Sequence, residues 1–370
     1  MGLPSFGSNQ IAKPGDPVRS AISTKPFFQA LSLMFPPLRN IDAMLSFQLL
    51  LDYFEIEFQK EIQSIQATSP QQLYEPVAYS LIGGGKRIRP VLLLHAASLF
   101  SGPPEKAFPA AAAIEFFHNF TLLHDDIMDH ASIRRGMPAV HLKYGENGAI
   151  LSGDAMSILA FQFLSRCEAA KISSLLALFA TTALEVCEGQ QYDMEFEAID
   201  QVTESEYLEM IRLKTAVLIA CSLKTGALIA GAADESCQLL YDFGIQIGLA
   251  FQLQDDWLDV YGEETSFGKN IGGDICENKK TYILIKALEM SAENTKLQLK
   301  EWMGKTTFDR NEKIESVRNI FTQSGAASAT KMLMEEYFEK AMITLQLLNI
   351  AEEDKSELRN FASKVLSRVK

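Results

Sequence analysis

Two stretches of the sequence crowd carboxylates together: "HDDIMDH" at residues 124–130 and "LQDDWLD" at 253–259. In a helix, residues four apart share a face, so Asp125 and Asp129 lie one above the other, with Asp126 turned by about a quarter of a turn. Asp255 and Asp259 repeat the arrangement, and Gln252 and Asp256 join their face. Like charges at this density call for a cation. Magnesium suits them, because this small hard ion prefers oxygen, keeps several waters and bridges a few carboxylates to phosphates. One such cluster alone reads as a solvated helix end. Two of them, 130 residues apart and each closing an apolar helix, with basic residues between, read as a metal centre. The alternating loop of a calcium EF-hand is absent.

The basic residues fall in four places. "GGGKRIRP" at 83–90 offers Lys86, Arg87 and Arg89 after three glycines, with Pro90 suited to the first turn of a helix. Glycine backbone beside a helix N-terminus is an anion cradle, but GxxxxGK[ST] is not satisfied, so ATP is not implied. Arg134 and Arg135 follow Asp129 closely enough to reach a phosphate held by its metal. Lys214 with Thr215 interrupts the aliphatic "RLKTAVLIA" at 212–220, and "GKNIGGDICENKKTY" at 268–282 carries Lys269, Lys279 and Lys280 beyond the second cluster. Singly, each lysine reads as a solvated surface charge; together they surround the expected metals. His118, seven residues before Asp125, lies on much the same face, as a core histidine or a phosphate donor.

The elements that carry these residues are helical. From residue 41 onward apolar residues recur at helical spacing between short Gly, Pro or Ser breaks, and no period-two strand series appears. Long helices are expected at 41–66, 90–100, 106–130, 149–170, 173–192, 204–231, 236–261 and 279–292, with several beyond residue 311. The segments through "AAAAIEFFHNFTLL" and "FGIQIGLAFQLQ" are apolar nearly all round and should be central. Residues 1–40, rich in Ser, Gly and Pro, read as a loosely ordered extension to an all-α domain over 41–370. A transit peptide is the second reading of that extension.

The 370 residues carry a net charge of −13, which argues against a nonspecific hold on nucleic acid or anionic lipid. The five cysteines have no CxxC pair and read as reduced thiols, which suits a cytoplasmic protein. No apolar run reaches the roughly 18 residues of a membrane span, since Lys224 interrupts Leu218 to Ala233.

"GGGKRIRP", "HDDIMDHASIRRG", "EGQQYD", "KT" at 214–215, "FQLQDDWLDVYG" and "GKNIGGDICENKKT" come in the order of a known family. Over about residues 45–365 the chain resembles the trans-isoprenyl diphosphate synthases. The resemblance implies a single-domain bundle of long helices around a central cavity, the isoprenoid synthase fold, in a homodimer. It implies condensation of an allylic diphosphate with isopentenyl diphosphate to farnesyl or geranylgeranyl diphosphate, with the departing diphosphate taking the proton. Asp125, Asp126, Asp129, Asp255, Asp256 and Asp259 would hold Mg2+ on the allylic diphosphate. Arg134, Lys214, Gln252, Lys269 and Lys279 would contact that substrate, and Lys86, Arg89, His118 and Arg135 the isopentenyl diphosphate. Gln190 and Asp193 match a GQxxD motif that supports the lysine and metal surroundings. Dipoles of Thr215, Gln252 and the backbone at Lys214 would stabilise the carbocation. Asn278 departs from the pattern, which has glycine there; asparagine also tolerates a left-handed backbone.

Phe120 and Thr121, below Asp125, are the expected floor of the chain cavity, and the resemblance implies that an aromatic at 120 goes with a short product, of fifteen to twenty carbons and leaning to geranylgeranyl. The competing readings are a longer-chain synthase, a class I terpene cyclase and a noncatalytic partner subunit. The second aspartate cluster and "GGGKRIRP" argue against the cyclase, and the presence of both clusters argues against the partner subunit.

Overall fold

The computed structural model describes residues 46–262 and 271–367. Both the N-terminal extension and Lys269 lie outside the described residues. The chain folds as α1 (Phe47–Gln66), α2 (Gln71–Ile82), α3 (Ile88–Ser98), α4 (Pro104–Met128), α5 (Val140–Tyr144), α6 (Glu146–Leu164) and α7 (Ala169–Ala198). It continues through α8 (Glu204–Ile211), a π-helical turn (Arg212–Ala216), α9 (Val217–Ala230), α10 (Asp234–Tyr261), α11 (Gly273–Glu277), α12 (Tyr282–Met290), α13 (Glu293–Gly304), α14 (Arg310–Gln323), α15 (Ala326–Leu347) and α16 (Ser356–Ser367). The only sheet among the described residues is a two-residue pair, β1 (Ile133–Arg134) and β2 (Met137–Pro138), with Ile133 opposite Pro138.

Local chemistry sets several helix ends. Ser46 caps α1 by accepting from the Leu49 N–H, and Thr203 forms a reciprocal capping box with Glu206 at α8. Asp309 caps α14 through the Glu312 N–H, and Gly231, in the left-handed region, closes α9. Pro104 sits at the start of α4, where its missing N–H costs nothing.

The two apolar helices are central, as their composition requires. α4 buries Ala110 to Ala113, Ile114, Phe116 and Phe117 and packs against α3 and α6. α10 packs between α9 and α15. Each large side chain that becomes fully buried contributes roughly 1.5–3 kcal/mol, and Phe54, Phe58, Phe116, Phe163, Phe179 and Phe243 are all in this state. Close approach of α9 and α10 rests on small residues. A Cβ on Gly248 would lie 2.5 Å from the Cα of Ala216, and one on Gly244 2.5 Å from the Cα of Ala220.

Several sequence expectations need adjustment. The span expected at 149–170 ends at Leu164, and the next helix begins at Ala169. The helix expected at 204–231 is interrupted by the π turn. Helices α2, α5, α11 and α13 were not foreseen. Two helices, Ala169–Ala198 and Glu204–Ala230 with its π turn, are long and apolar enough to cross a membrane by length and composition, although charged residues such as Lys171, Glu185, Lys214 and Lys224 interrupt them. The second is mostly buried in the bundle, as its place between α3 and α10 demands. The first keeps Leu176 and Leu184 exposed. All five cysteines are free thiols, with Cys167, Cys221 and Cys237 buried and Cys187 exposed.

Candidate active site

The C-terminal end of α4 and that of α10 meet at one cavity of about 260 Å3. Asp125 and Asp255 both line it, together with Asp193, Tyr207, Lys214, Thr215, Gln252, Asp256, Asp259, Asp274, Lys279 and Lys280. Carboxylates outnumber lysines there by six to three. A cavity with that imbalance favours bound cations, and it also shifts the groups inside it. In the adjoining cavity, which shares Lys279 and Lys280, burial raises the Asp129 carboxyl, with Asp125 adding to the rise. Burial pushes Asp256 up to about 7 and Asp274 well above the usual carboxylate range.

Protein partners hold several of these aspartates. Asp126 is buried and turned back onto Arg134, which donates to both of its oxygens; the Nε contacts are 2.9 and 3.1 Å. Asp125 and Asp193 flank Lys214, whose Nζ lies 3.3 Å from Asp125 Oδ1 and 2.6 Å from Asp193 Oδ2. Against the burial penalty, those two carboxylates hold the Lys214 ammonium above its ordinary value. Lys279 Nζ lies 3.8 Å from Asp129 Oδ2, and despite burial Asp129 and Asp274 hold it above the usual lysine range. Asp259 accepts from the N–H groups of Gly273 and Asp274 at 3.2 and 3.0 Å, which ties the end of α10 to the start of α11.

A hydrogen-bonded line joins the π turn to the second cluster. Thr215 Oγ1 donates to Gln252 Oε1 at 2.9 Å, Gln252 Nε2 donates to Asp256 Oδ1 at 3.1 Å, and the Tyr207 hydroxyl donates to Asp256 Oδ2. The π turn that presents Lys214 and Thr215 fits because α7 has no side chain at Gly189, where a Cβ would stand 2.3 Å from the Lys214 nitrogen. Widened turns of this kind recur at functional sites. Gln190, the next residue, reaches Met128 with its amide rather than the lysine.

A second, basic group lies around "GGGKRIRP". Gly84 and Gly85 take positive φ values of 80° and 140°. The Arg135 guanidinium covers Gly85 and donates to Gly84 O, and to Asn119 Oδ1 at 3.2 Å. Arg89 NH1 lies 3.1 Å from His118 Nε2. Arg87 departs from the sequence expectation of an anion-facing cation. Its side chain is buried and bonded to Glu55 at 2.9 Å, Glu115 at 2.5 Å and Leu81 O at 2.7 Å, so it anchors the turn instead. Lys86 remains exposed.

Phe120 and Thr121 face different neighbours. The Phe120 ring packs on Phe117 and His124, with centroids 5.4 and 4.7 Å apart. Thr121, four residues before Asp125, lies on the same face as that aspartate and donates to His118 O at 2.8 Å.

Sequence reasoning missed Tyr207 and Asp274. Tyr207 is 49 residues from Asp256 and carries no local signal. Asp274 sits inside the quoted "GGDICENKKT", and its place two residues beyond a glycine marked it as a helix-start residue that could reach the cavity.

With the geometry in view, comparison with known proteins identifies the class. Residues 70–321 match the polyprenyl synthetase family, and the chain belongs to that family. It is therefore a prenyltransferase of the isoprenoid synthase fold. It is 42% identical over 306 residues to the geranylgeranyl diphosphate synthase of Methanosarcina mazei, covering 82% of this chain and 92% of that protein. Geranylfarnesyl diphosphate synthase of Aeropyrum pernix is 31% identical over 330 residues, covering 87% and 100%. A crystal structure of a geranylgeranyl pyrophosphate synthase superposes with a TM-score of 0.84 at 45% identity, covering 88% of this chain and 100% of that one.

The basic group yields a pH prediction. Burial, then the neighbouring Arg89, Arg135, Arg134 and Arg87, hold the His118 imidazole well below its ordinary value of 6.5. The unfolded chain then binds a proton that the folded one refuses, so the ligand-free protein should lose stability as pH falls below about 6.5. NMR titration of the imidazole in ligand-free protein should give a midpoint well under 6.5, and a midpoint at or above that value would contradict the placement.

Proposed function

We propose that the chain condenses an allylic diphosphate with isopentenyl diphosphate, giving geranylgeranyl diphosphate as the main product and farnesyl diphosphate as the shorter one. The observation that carries this reading is a site with two halves of opposite charge. One half has carboxylates in excess, and the other holds Arg89, Arg135 and His118. Two diphosphates can then be recognised by different chemistry in neighbouring places.

The six aspartates Asp125, Asp126, Asp129, Asp255, Asp256 and Asp259 are the oxygen donors for Mg2+. The donor chemistry suits this ion: the side chains are all carboxylates, and magnesium prefers oxygen ligands and completes its shell with water and phosphate oxygens. When bound, Mg2+ neutralises the allylic diphosphate and stabilises it as a leaving group. Arg134, Tyr207, Gln252 and the N–H groups of Gly273 and Asp274 keep the aspartates oriented. Lys214, Lys279, Arg134 and Gln252 add fixed donors to the same diphosphate, where charge grows as the bond breaks, and Lys269, which lies outside the described residues, is a further contact of this reading. Thr215 Oγ1 and the opened backbone of the π turn turn their dipoles toward the nascent cation. Arg89, Arg135, His118 and Lys86 grip the diphosphate of isopentenyl diphosphate. His118, held neutral, serves as a hydrogen-bonding group rather than a charge.

The named relatives support a short to medium product, since both geranylgeranyl and geranylfarnesyl synthases resemble the chain. Phe120 and Thr121 set the length. Thr121 lies one turn before Asp125 on the same helix face, while the Phe120 ring packs on Phe117 and His124. The test is diphosphate release with chromatography of the dephosphorylated products. Release should need both substrates and Mg2+, Thr121→Phe should shorten the product and Phe120→Ala should lengthen it. Release without isopentenyl diphosphate would indicate a cyclase or hydrolase, and product lengths unmoved by both substitutions would remove the floor.

A homodimer belongs to the same reading and is supported by an apolar face on α6 and α7. Leu151, Ile158 and Leu184 are each about 60% exposed (59%, 61% and 61%), and exposed large apolar side chains clustered on neighbouring helices would suit an association site. The absence of any disulfide among the five cysteines supports a cytoplasmic location. Sedimentation should give a dimer that Leu184→Glu with Ile158→Glu splits, and a monomeric wild-type protein would contradict the assignment.

A further inference from the structure

Helix α14 lies outside the cavity lining, yet its beginning holds one strand of the site. Lys313, near its start, is only 1% exposed. Its ammonium donates to Asn278 Oδ1 at 2.7 Å and to Cys276 O at 3.4 Å, and lies 4.2 Å from the Phe308 ring centre. Arg310, one turn earlier, donates to Ile271 O at 3.1 Å. Ile314 packs where a side chain at Gly272 would stand, 2.6 Å from its Cβ. The beginning of α14 thus grips both ends of residues 271–278.

That segment does two things for the site. The Gly273 and Asp274 N–H groups hold Asp259, and the residue that follows it is Lys279, whose Nζ approaches Asp129. Between them the chain turns at Asn278, with φ 57° and ψ 31°, and the Lys279 N–H closes on Asp274 O at 2.9 Å. Glycine adopts this left-handed conformation at no steric cost, whereas any side chain opposes it and asparagine least. The Lys313 contact falls on the side chain that must tolerate the strained turn.

We infer that Lys313 is a positioning residue: by holding the Asn278 side chain it keeps the left-handed turn that aims Lys279 into the diphosphate site. The inference rests on the reading of Lys279 as an allylic diphosphate ligand. It does not require Lys313 to meet substrate, and it assigns a role to a helix whose sequence shows only amphipathic packing.

A mutant cycle with steady-state kinetics and thermal unfolding tests it. Lys313→Met, of similar volume, should raise KM for the allylic diphosphate about ten-fold, the scale of losing a buried hydrogen-bond partner, and lower kcat as well, because Lys279 also meets the charge that grows as the bond breaks. In an Asn278→Gly background the turn needs no holding, so Lys313→Met should change KM by less than about two-fold. An equal rise in both backgrounds, or a rise in neither, would overturn the inference. Should Lys313→Met fail to fold, Asn278→Ala against Asn278→Gly decides: alanine should raise KM and glycine should not, and equal values overturn it. Lys279→Gln with an unchanged KM would overturn it from the other side, by removing the reading on which it rests.

Discussion

A surplus of carboxylates in one partly closed cavity is the constraint from which the rest of the structure follows. Six aspartates facing three lysines cannot all ionise near one another without stabilising cations, because burial and mutual repulsion both oppose the charged form. The protein meets this in two ways. It lets Asp256 and Asp274 drift toward the neutral form, and it places Lys214 between Asp125 and Asp193. The second solution depends on backbone geometry. The π turn brings Lys214 to the cavity, and the bare backbone at Gly189 gives that turn room. A methyl group at either contact would have to move backbone, which costs roughly 1–3 kcal/mol in a packed core.

The opposite charge of the neighbouring site gives the molecule its division of labour. Around Gly84 and Gly85 the protein gathers Arg89 and Arg135 beside a neutral histidine. It removes Arg87 from that group by pairing it with Glu115 and Glu55. On the proposed reading, two phosphate-bearing ligands would meet different surroundings, one held by cations on the carboxylates and one by guanidinium groups. On the proposed reaction this keeps the ionising substrate beside the metals and the attacking alkene on the arginine side.

Helical periodicity made the fold class and both aspartate clusters legible, because the residues that matter lie at fixed spacing on long regular helices. The π turn was not legible. "RLKTAVLIA" has no breaker, and the extra residue in the turn is a response to packing against Gly189 and Gly248, which are distant in sequence. Arg87 and Arg89 were equally hard to separate, being two residues apart in one turn. The clue lay elsewhere, in Glu115, a lone acid inside the apolar run of α4 that had to find a buried cation. The left-handed turn at Asn278 was readable from residue type, but its hold by Lys313 was not, since 35 residues separate them.

On the proposed reading the two acidic helix ends act as one binding site for cations and a diphosphate. Mn2+ binding followed by electron paramagnetic resonance, with and without inorganic diphosphate, tests it most directly. Tight binding should appear only with diphosphate present, and Asp125→Asn or Asp255→Asn should each abolish it. Tight binding without diphosphate, or binding that survives loss of either cluster's first aspartate, would contradict a shared site.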